Sequence, residues 1–273
     1  MDLKRTSRKG ILTLLVLIIS VCALPAYADS INLITNGSFE NPVVSADSTC
    51  GTYANCVGFH NAVAGNDNIG GWQLIGKGGV DINNVPISGA PATMLLLGLN
   101  YTEPDTFSGQ TLFFHPEDGL QSLDLTGEGN QGTTNGVKQS IVTNTGSLYS
   151  LSFWYGHQYS SAPGYTGLSA LALYIDGNLI DSFGTSQNTL DDVSWSEFGR
   201  TFTASSSQTT IAFLNDAPVG NNFAGLDNVS VVAVPIAEVA AVPEPASYLL
   251  LGIGMIFLTS FAYCRTSKGL RRG

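Results

Sequence analysis

The sequence predicts an all-β fold arranged as a sandwich of two sheets, and three observations carry that expectation. Short runs of alternating apolar and polar residues recur through the middle of the chain, separated by clusters of Asn, Gly, Asp and Ser. No stretch between residues 29 and 235 holds a 3.6-residue apolar period for three turns. Several runs are apolar on one side and mixed on the other, so each needs a second sheet to cover it.

The chain opens with Lys4, Arg5, Arg8 and Lys9, then an apolar core from Ile11 to Val21, then Ala26-Tyr27-Ala28. These are the parts of a secretory signal peptide, residues 1–28, whose removal by signal peptidase leaves Asp29 first. An uncleaved N-terminal anchor would use the same residues.

Cys50 and Cys56 come next, in STCGTYANCVGFH. Cys22 leaves with the signal peptide and Cys264 lies in the terminal apolar run, so this pair is alone in an oxidising compartment. A disulfide between them would staple the loop and contribute about 2–3 kcal/mol in the chain-entropy model. A metal site would need more ligands than the nearby His60.

The clearest strands are Leu148 to Tyr155, Ala170 to Ile175, Phe198 to Thr203, Thr209 to Leu214 and Asn228 to Val234. Asp176-Gly177 before Leu179-Ile180 is a hairpin signal of the type I′ kind. Alternation puts Tyr149, Leu151, Phe153 and Tyr155 on one face, with Ser150, Ser152 and Trp154 on the other. Likewise Leu171, Leu173 and Ile175 oppose Ala172 and Tyr174, and Ile211 and Phe213 oppose Ala212 and Leu214. The sandwich domain spans residues 29–234 and is followed by an Ala/Val/Pro linker, 235–242.

Charge separates the ends from the middle. Eight of the eleven Lys and Arg lie in the two terminal segments, which leaves Lys77, Lys138 and Arg200 against twenty Asp and Glu between Asp29 and Pro245. So acidic a middle excludes nucleic acid and anionic lipid as partners, and suits cations, neutral sugars and a crowded matrix.

Residues 243–273 form a tripartite tail. Pro243-Glu244-Pro245 precedes an uncharged run, 248–264, of roughly 25 Å as a helix, long enough for a thin bilayer. Four basic residues and no acids follow it, which would hold the end on the cytoplasmic side. On these properties alone the tail is a membrane anchor. It resembles the PEP-CTERM sorting signal of Gram-negative bacteria through Val242-Pro243-Glu244-Pro245-Ala246, Gly252 and Gly254 in the apolar run, and the closing Arg271-Arg272. The resemblance covers about 30 residues and implies export across the inner membrane, transient anchoring, processing by an exosortase, and a place at the cell surface or in the extracellular matrix. It is an address and implies no activity.

A second resemblance spans most of residues 31–234. Asn36-Gly37-Ser38-Phe39-Glu40-Asn41-Pro42 and Gly225-Leu226-Asp227-Asn228-Val229-Ser230-Val231 look like the first and last strands of carbohydrate-binding-module-like jelly rolls. Between them, Gly71-Trp72, Ser122-Leu123-Asp124-Leu125, Tyr149-x-Leu151-x-Phe153 and Trp195 fall in the order of galactose-binding-like domains. The resemblance implies a jelly roll and a structural Ca2+ held by Glu40 and Asp227, with carbonyls near Asn36 and Leu120 to Ser122. Such a family closes with two acids before the valine; here the second is Asn228, which weakens any site relying on it. Glu40 and Asp227 also fit as plain strand-end acids.

Sugar binding needs flat aromatics beside amides or carboxylates. Trp154 and Tyr174 lie off the core face, Tyr155, His157, Tyr159 and Tyr165 follow, and Asn135 and Gln139 supply hydrogen bonds. Packing accounts for the same tryptophan, and for Trp72 and Trp195 more readily still. Catalysis finds little support. His60, His115 and His157 lack metal spacing or a nucleophile motif. Asp191-Asp192 reads as a solvated turn, and Glu103, Glu117 and Asp118 as loop acids. The sequence therefore points to a non-catalytic surface or matrix protein associated with exopolysaccharide. A purely structural matrix protein and a glycoside hydrolase are the alternatives.

Processing is the first testable outcome. Protein from the native cell surface should begin at Asp29 and lack the segment beyond Pro245. Intact-mass measurement checks both ends, and retention of residues 248–273 would make the tail a plain anchor.

Overall fold

The computed structural model describes residues 31–44, 58–65, 68–99, 101–104, 109, 111–127, 135–159, 165, 169–185, 192–220, 222–235 and 258. The signal peptide, Cys50 and Cys56, the linker beyond residue 235 and the tail, Leu258 apart, fall outside these residues. No helix among the described residues is long and apolar enough to cross a membrane. The chain divides into units Met1–Ile31 and Asn32–Gly273, and every strand lies in the second.

Fourteen strands follow in order: β1 (Phe59–Val63), β2 (Asn68–Ile69), β3 (Trp72–Ile75), β4 (Thr93–Gly98), β5 (Thr102–Pro104), β6 (Thr111–Phe113) and β7 (Gln121–Asp124), then β8 (Gly136–Val142), β9 (Leu148–His157), β10 (Ser169–Ile175), β11 (Asn178–Thr185), β12 (Ser194–Thr203), β13 (Gln208–Asn215) and β14 (Gly225–Ala233). The front sheet runs β1-β4-β7-β14-β9-β12, the back sheet β11-β10-β13-β8-β3-β2, and β5 and β6 form a separate ribbon. From β7 onward every connection but the β10–β11 hairpin crosses between the two sheets. That wrapping is a jelly roll, and its closing strand β14 sits between β7 and β9 in the front sheet.

Alternation decides the interior. Leu151 and Phe153 of β9 are fully buried, as are Leu171 and Leu173 of β10 and Ile211 and Phe213 of β13. The rings of Phe153 and Phe213 meet edge to face across the sandwich at 4.8 Å, and Phe183 and Phe198 close one side at 4.2 Å. Trp72 packs between Phe39 (5.6 Å) and Phe213 (6.2 Å), so this tryptophan is core. The β10–β11 turn has the expected backbone, with Asp176 at φ 50° and Gly177 at φ 76°. Leu173/Tyr174 carries a register shift just before it.

All five expected strands are present, with moved ends. β14 begins three residues early because Gly225, Leu226 and Asp227 already pair with β9. Asn228 then takes φ 47° and the register shifts before Ser230. The opening motif differs from expectation more clearly. Residues 31–44 form no strand; Asn36 and Phe39 have φ of 55° and 56°, which breaks a pleat. The segment still lies along β14, with Leu33 N–H donating to Val231 O at 2.8 Å and Val229 N–H to Gly37 O at 3.0 Å. A Cβ on Gly37 would stand 2.0 Å from Val229 O, so only glycine permits that approach.

Candidate functional site

A loop between β6 and β7 is held by two carboxylates from the opening and closing segments. Asp227 is fully buried. Its Oδ2 accepts the N–H groups of Glu117 (2.9 Å) and Asp118 (3.0 Å), and its Oδ1 that of Asn228 (2.7 Å). Glu40 Oε1 accepts those of Leu120 (2.6 Å) and Gln121 (2.9 Å). Between them Gly119 takes φ +67°, and a Cβ there would meet Glu40 Oε1 at 2.4 Å. The glycine lets both amides reach one oxygen. Gln121 Nε2 then donates to Phe39 O and Pro42 O. Ser38 and Asn228 reach across to Asp118 and Glu117, at 2.7 and 3.1 Å.

Glu40, Asp227 and Asn36 are thus brought to one end of the sandwich, as a shared Ca2+ requires. Their oxygens, however, face hydrogen-bond donors. Asn36 O accepts the indole N–H of Trp72 at 3.0 Å, and its side chain brackets the backbone of Asn41. Ca2+ takes six to eight oxygens pointing inward. Among the described residues no group of three or more His, Cys, Asp and Glu has that arrangement. The residues in this conformation do not fit the ion.

A second apolar cluster lies on the outer face of the front sheet, where Tyr101, Leu112 and Phe114 of the β5–β6 region pack on Leu97 and Phe223. Glu103 takes the hydroxyls of Tyr101 and Tyr165, the latter at 2.9 Å. Burial, with the Glu103 charge added, raises both phenols well above their ordinary range. Asp124 on β7 is buried on the same face and accepts from Thr126 and from Ala224 N–H. Trp195 joins the rim of the cluster, donating its N–H to His115 O at 3.0 Å. His115 stacks on Phe113 and meets Asp192 at 2.6 Å, so Asp192 is paired where the sequence suggested a solvated turn.

The expected ligand residues do not share one surface. Trp154 is half-buried on the outer face of the front sheet, directly opposite Glu197 of β12 and Asp227 of β14. Toward Ser152 its surroundings are small, since Ser152 pairs with Gly199 on one side and Ser230 on the other; toward Gly156 the Trp195 ring and Val193 lie over the sheet. Tyr174 is half-buried on the outer face of the back sheet, across the sandwich. Gln139 is turned inward, where its amide clamps Thr35 through Oε1 (2.7 Å) and Nε2 (3.0 Å). Asn135 is buried beside Thr93, and Tyr159 follows Gln158, whose Nε2 donates to Phe113 O. Glu197 escaped the sequence reading. Only the β9–β12 register puts it beside Trp154; the alternation of Trp195, Glu197 and Gly199 was the available signal.

Residues 241–265 match the PEP-CTERM protein-sorting motif. This motif implies an exported protein, held at its C-terminus until an exosortase processes it. No curated protein matches the chain. Solved structures that overlay on it include a xylan-binding domain from Paenibacillus barcinonensis, at 14% identity over 76% of this chain and 97% of that one, TM-score 0.34. Another is a carbohydrate-binding module solved with β-1,4-galactotriose, at 11% identity over 75% and 100%, TM-score 0.32. The EclA C-terminal domain, a sugar-binding protein, overlays at 19% identity and TM-score 0.27; there the match spans 34% of this chain and 64% of that chain.

Buried acids near the sandwich domain's closing strand give it a pH response. Desolvation pushes Asp124 up to about 7 against its hydrogen bonds. Burial does the same to Asp227, also to about 7, opposed by three backbone N–H bonds and aided by the Glu117 charge. Folded-state values above the ordinary Asp value of 3.8 mean that both groups bind protons more tightly when folded. Their stabilisation is complete below about 4 and is lost as pH rises through about 7. Thermal melts should therefore give a higher Tm near pH 5 than near pH 8. Asp124→Asn, an isostere of the protonated acid, should flatten that slope, and an unchanged slope would remove Asp124 from it.

Proposed function

We propose that this exported protein is a non-catalytic surface or matrix component that binds exopolysaccharide on the outer face of its front sheet, around Trp154. One observation carries the reading: a large indole directed out of the sandwich, with Ser152, Gly199 and Ser230 leaving one side of it open. Packing alone would surround such a ring with bulky apolar side chains, as it does for Trp72. Small neighbours leave a face for a sugar ring, with Glu197 placed to take hydroxyls. The acids that a hydrolase would need in solvent are engaged within the protein: Glu103 by two tyrosines, Glu117 by Asn228, Asp118 by Ser38.

Trp154→Ala tests the reading. The variant should melt within about 3 °C of wild type and lose at least about tenfold in affinity for the producing cell's own exopolysaccharide. A tryptophan that merely packs would cost about 3–5 kcal/mol on truncation, and a correspondingly large drop in Tm would assign it to packing and leave a structural matrix role.

A structural Ca2+ on Glu40, Asp227 and Asn36 is a separate proposal from the family resemblance, and it requires those oxygens to exchange N–H donors for the ion. Binding to the folded state would raise Tm with added calcium, and Asp227→Ala would abolish the rise. The amide-anchored loop predicts a flat calcium titration.

A further inference from the structure

Charge placement narrows the kind of glycan that the Trp154 face accepts. The exported part has only three Lys or Arg side chains, and none of them is on the outer face of the front sheet. Lys77 follows β3 in the back sheet. Lys138 is buried on β8, its ammonium donating to Asp81 O, Ile82 O and Asn84 Oδ1 at 3.0, 3.1 and 2.8 Å. Arg200 stands opposite Leu151, on the inward-facing side of β12, and lies 3.8 Å from Asp181 of β11. The Trp154 face is acidic instead. Glu197 is exposed and directly opposite the indole, at a spacing of roughly 5 Å between Cβ atoms for such pairs. Asp118 is exposed and Glu117 half-buried on the loop above Asp227.

Resting on the carbohydrate reading, we infer that the ligand is a glycan bearing free primary amines, a de-N-acetylated aminosugar polymer. An ammonium beside Trp154 is attracted by the indole face and by the Glu197 carboxylate together, two terms that a neutral sugar does not gain. A uronic acid or sulfated sugar meets only carboxylates there, with no cation to pair with, and is repelled. N-acetylation removes the charge and with it both terms. Asp227, the other carboxylate beside Trp154, offers little, because its oxygens are taken by three N–H groups.

Calorimetric titration of the purified chain in mildly acidic buffer with moderate salt tests this with four hexasaccharides: glucosamine, N-acetylglucosamine, a neutral β-glucan and galacturonate. The glucosamine hexamer should bind at least about tenfold more tightly than the acetylated and neutral ones, and galacturonate should not bind. Glu197→Gln should shrink the amine preference several-fold while leaving Tm unaffected, and Trp154→Ala should weaken every hexamer that binds. A polycation could also adhere to so acidic a surface without a site; glucosamine binding unchanged in Trp154→Ala would show that and overturn the inference. Equal or tighter Trp154-dependent binding of the acetylated, neutral or acidic hexamer overturns it too, but leaves the carbohydrate reading standing. No binding of the glucosamine hexamer at millimolar concentration overturns the inference as well, and the native exopolysaccharide then decides the carbohydrate reading alone.

Discussion

The chain from Glu117 to Gln121, between β6 and β7, presents four N–H groups that are accepted by side-chain carboxylates and by no strand carbonyl. Backbone donors withdrawn from water without acceptors cost about as much as lost hydrogen bonds, so the part-buried N–H groups of Glu117, Asp118 and Gln121 need acceptors built for them. Asp227 and Glu40 supply them, one from the last strand and one from the opening segment. The same contacts tie the two ends of the domain together, because the opening segment also lies along β14 beyond the point where β7 leaves it. Removing either carboxylate would take away the acceptor of two of these N–H groups.

The two outer faces are then finished differently. On the back sheet, the turn at residues 81–84 folds over Lys138 and consumes its ammonium. On the front sheet, the β5–β6 region covers the β4 and β7 side with an aromatic cluster, and the acid-anchored loop covers Asp227. The β9–β12 side of the front sheet carries Ser150, Ser152, Trp154, Glu197 and Gly199, with the Trp195 ring beside Gly156 at the edge of that cluster. That contrast makes Trp154 distinct from Trp72, in the core, and Trp195, whose N–H is committed to His115.

Much of this was legible in the residues. Period-two alternation in SLYSLSFWYG fixed which side of β9 is core, and Asp176-Gly177 named its own turn. Long strands announce themselves because several alternating positions agree. β1 to β7 did not, being two to six residues long, broken by glycines and dependent on neighbours for their pairing. The opening motif looked like a strand because its residue types suit one, while its function here is a turn with left-handed Asn36 and Phe39. Site composition was harder still. Trp154 and Tyr174 share the property of facing outward, but outward on two sheets means opposite sides of the molecule. Gln139 looked like a free amide, and only the path of Thr35 across its strand reveals that both its ends are bound. Glu197 needed the register of a strand forty residues away.

The scarcity of cations has a consequence for survival outside the cell. Trypsin-like proteases cut after Lys or Arg and need the cut segment to unfold locally into their cleft. Two of the exported part's three such residues lie within strands, Lys138 in β8 and Arg200 in β12, and Lys138 is 4% exposed. Lys77, exposed in the stretch after β3, is therefore the one place where such an enzyme can start without opening a sheet. The same scarcity makes the domain nearly invisible to amine-reactive cross-linkers, so neighbours joined to it in a matrix would go undetected by lysine chemistry and would have to be sought through its carboxylates.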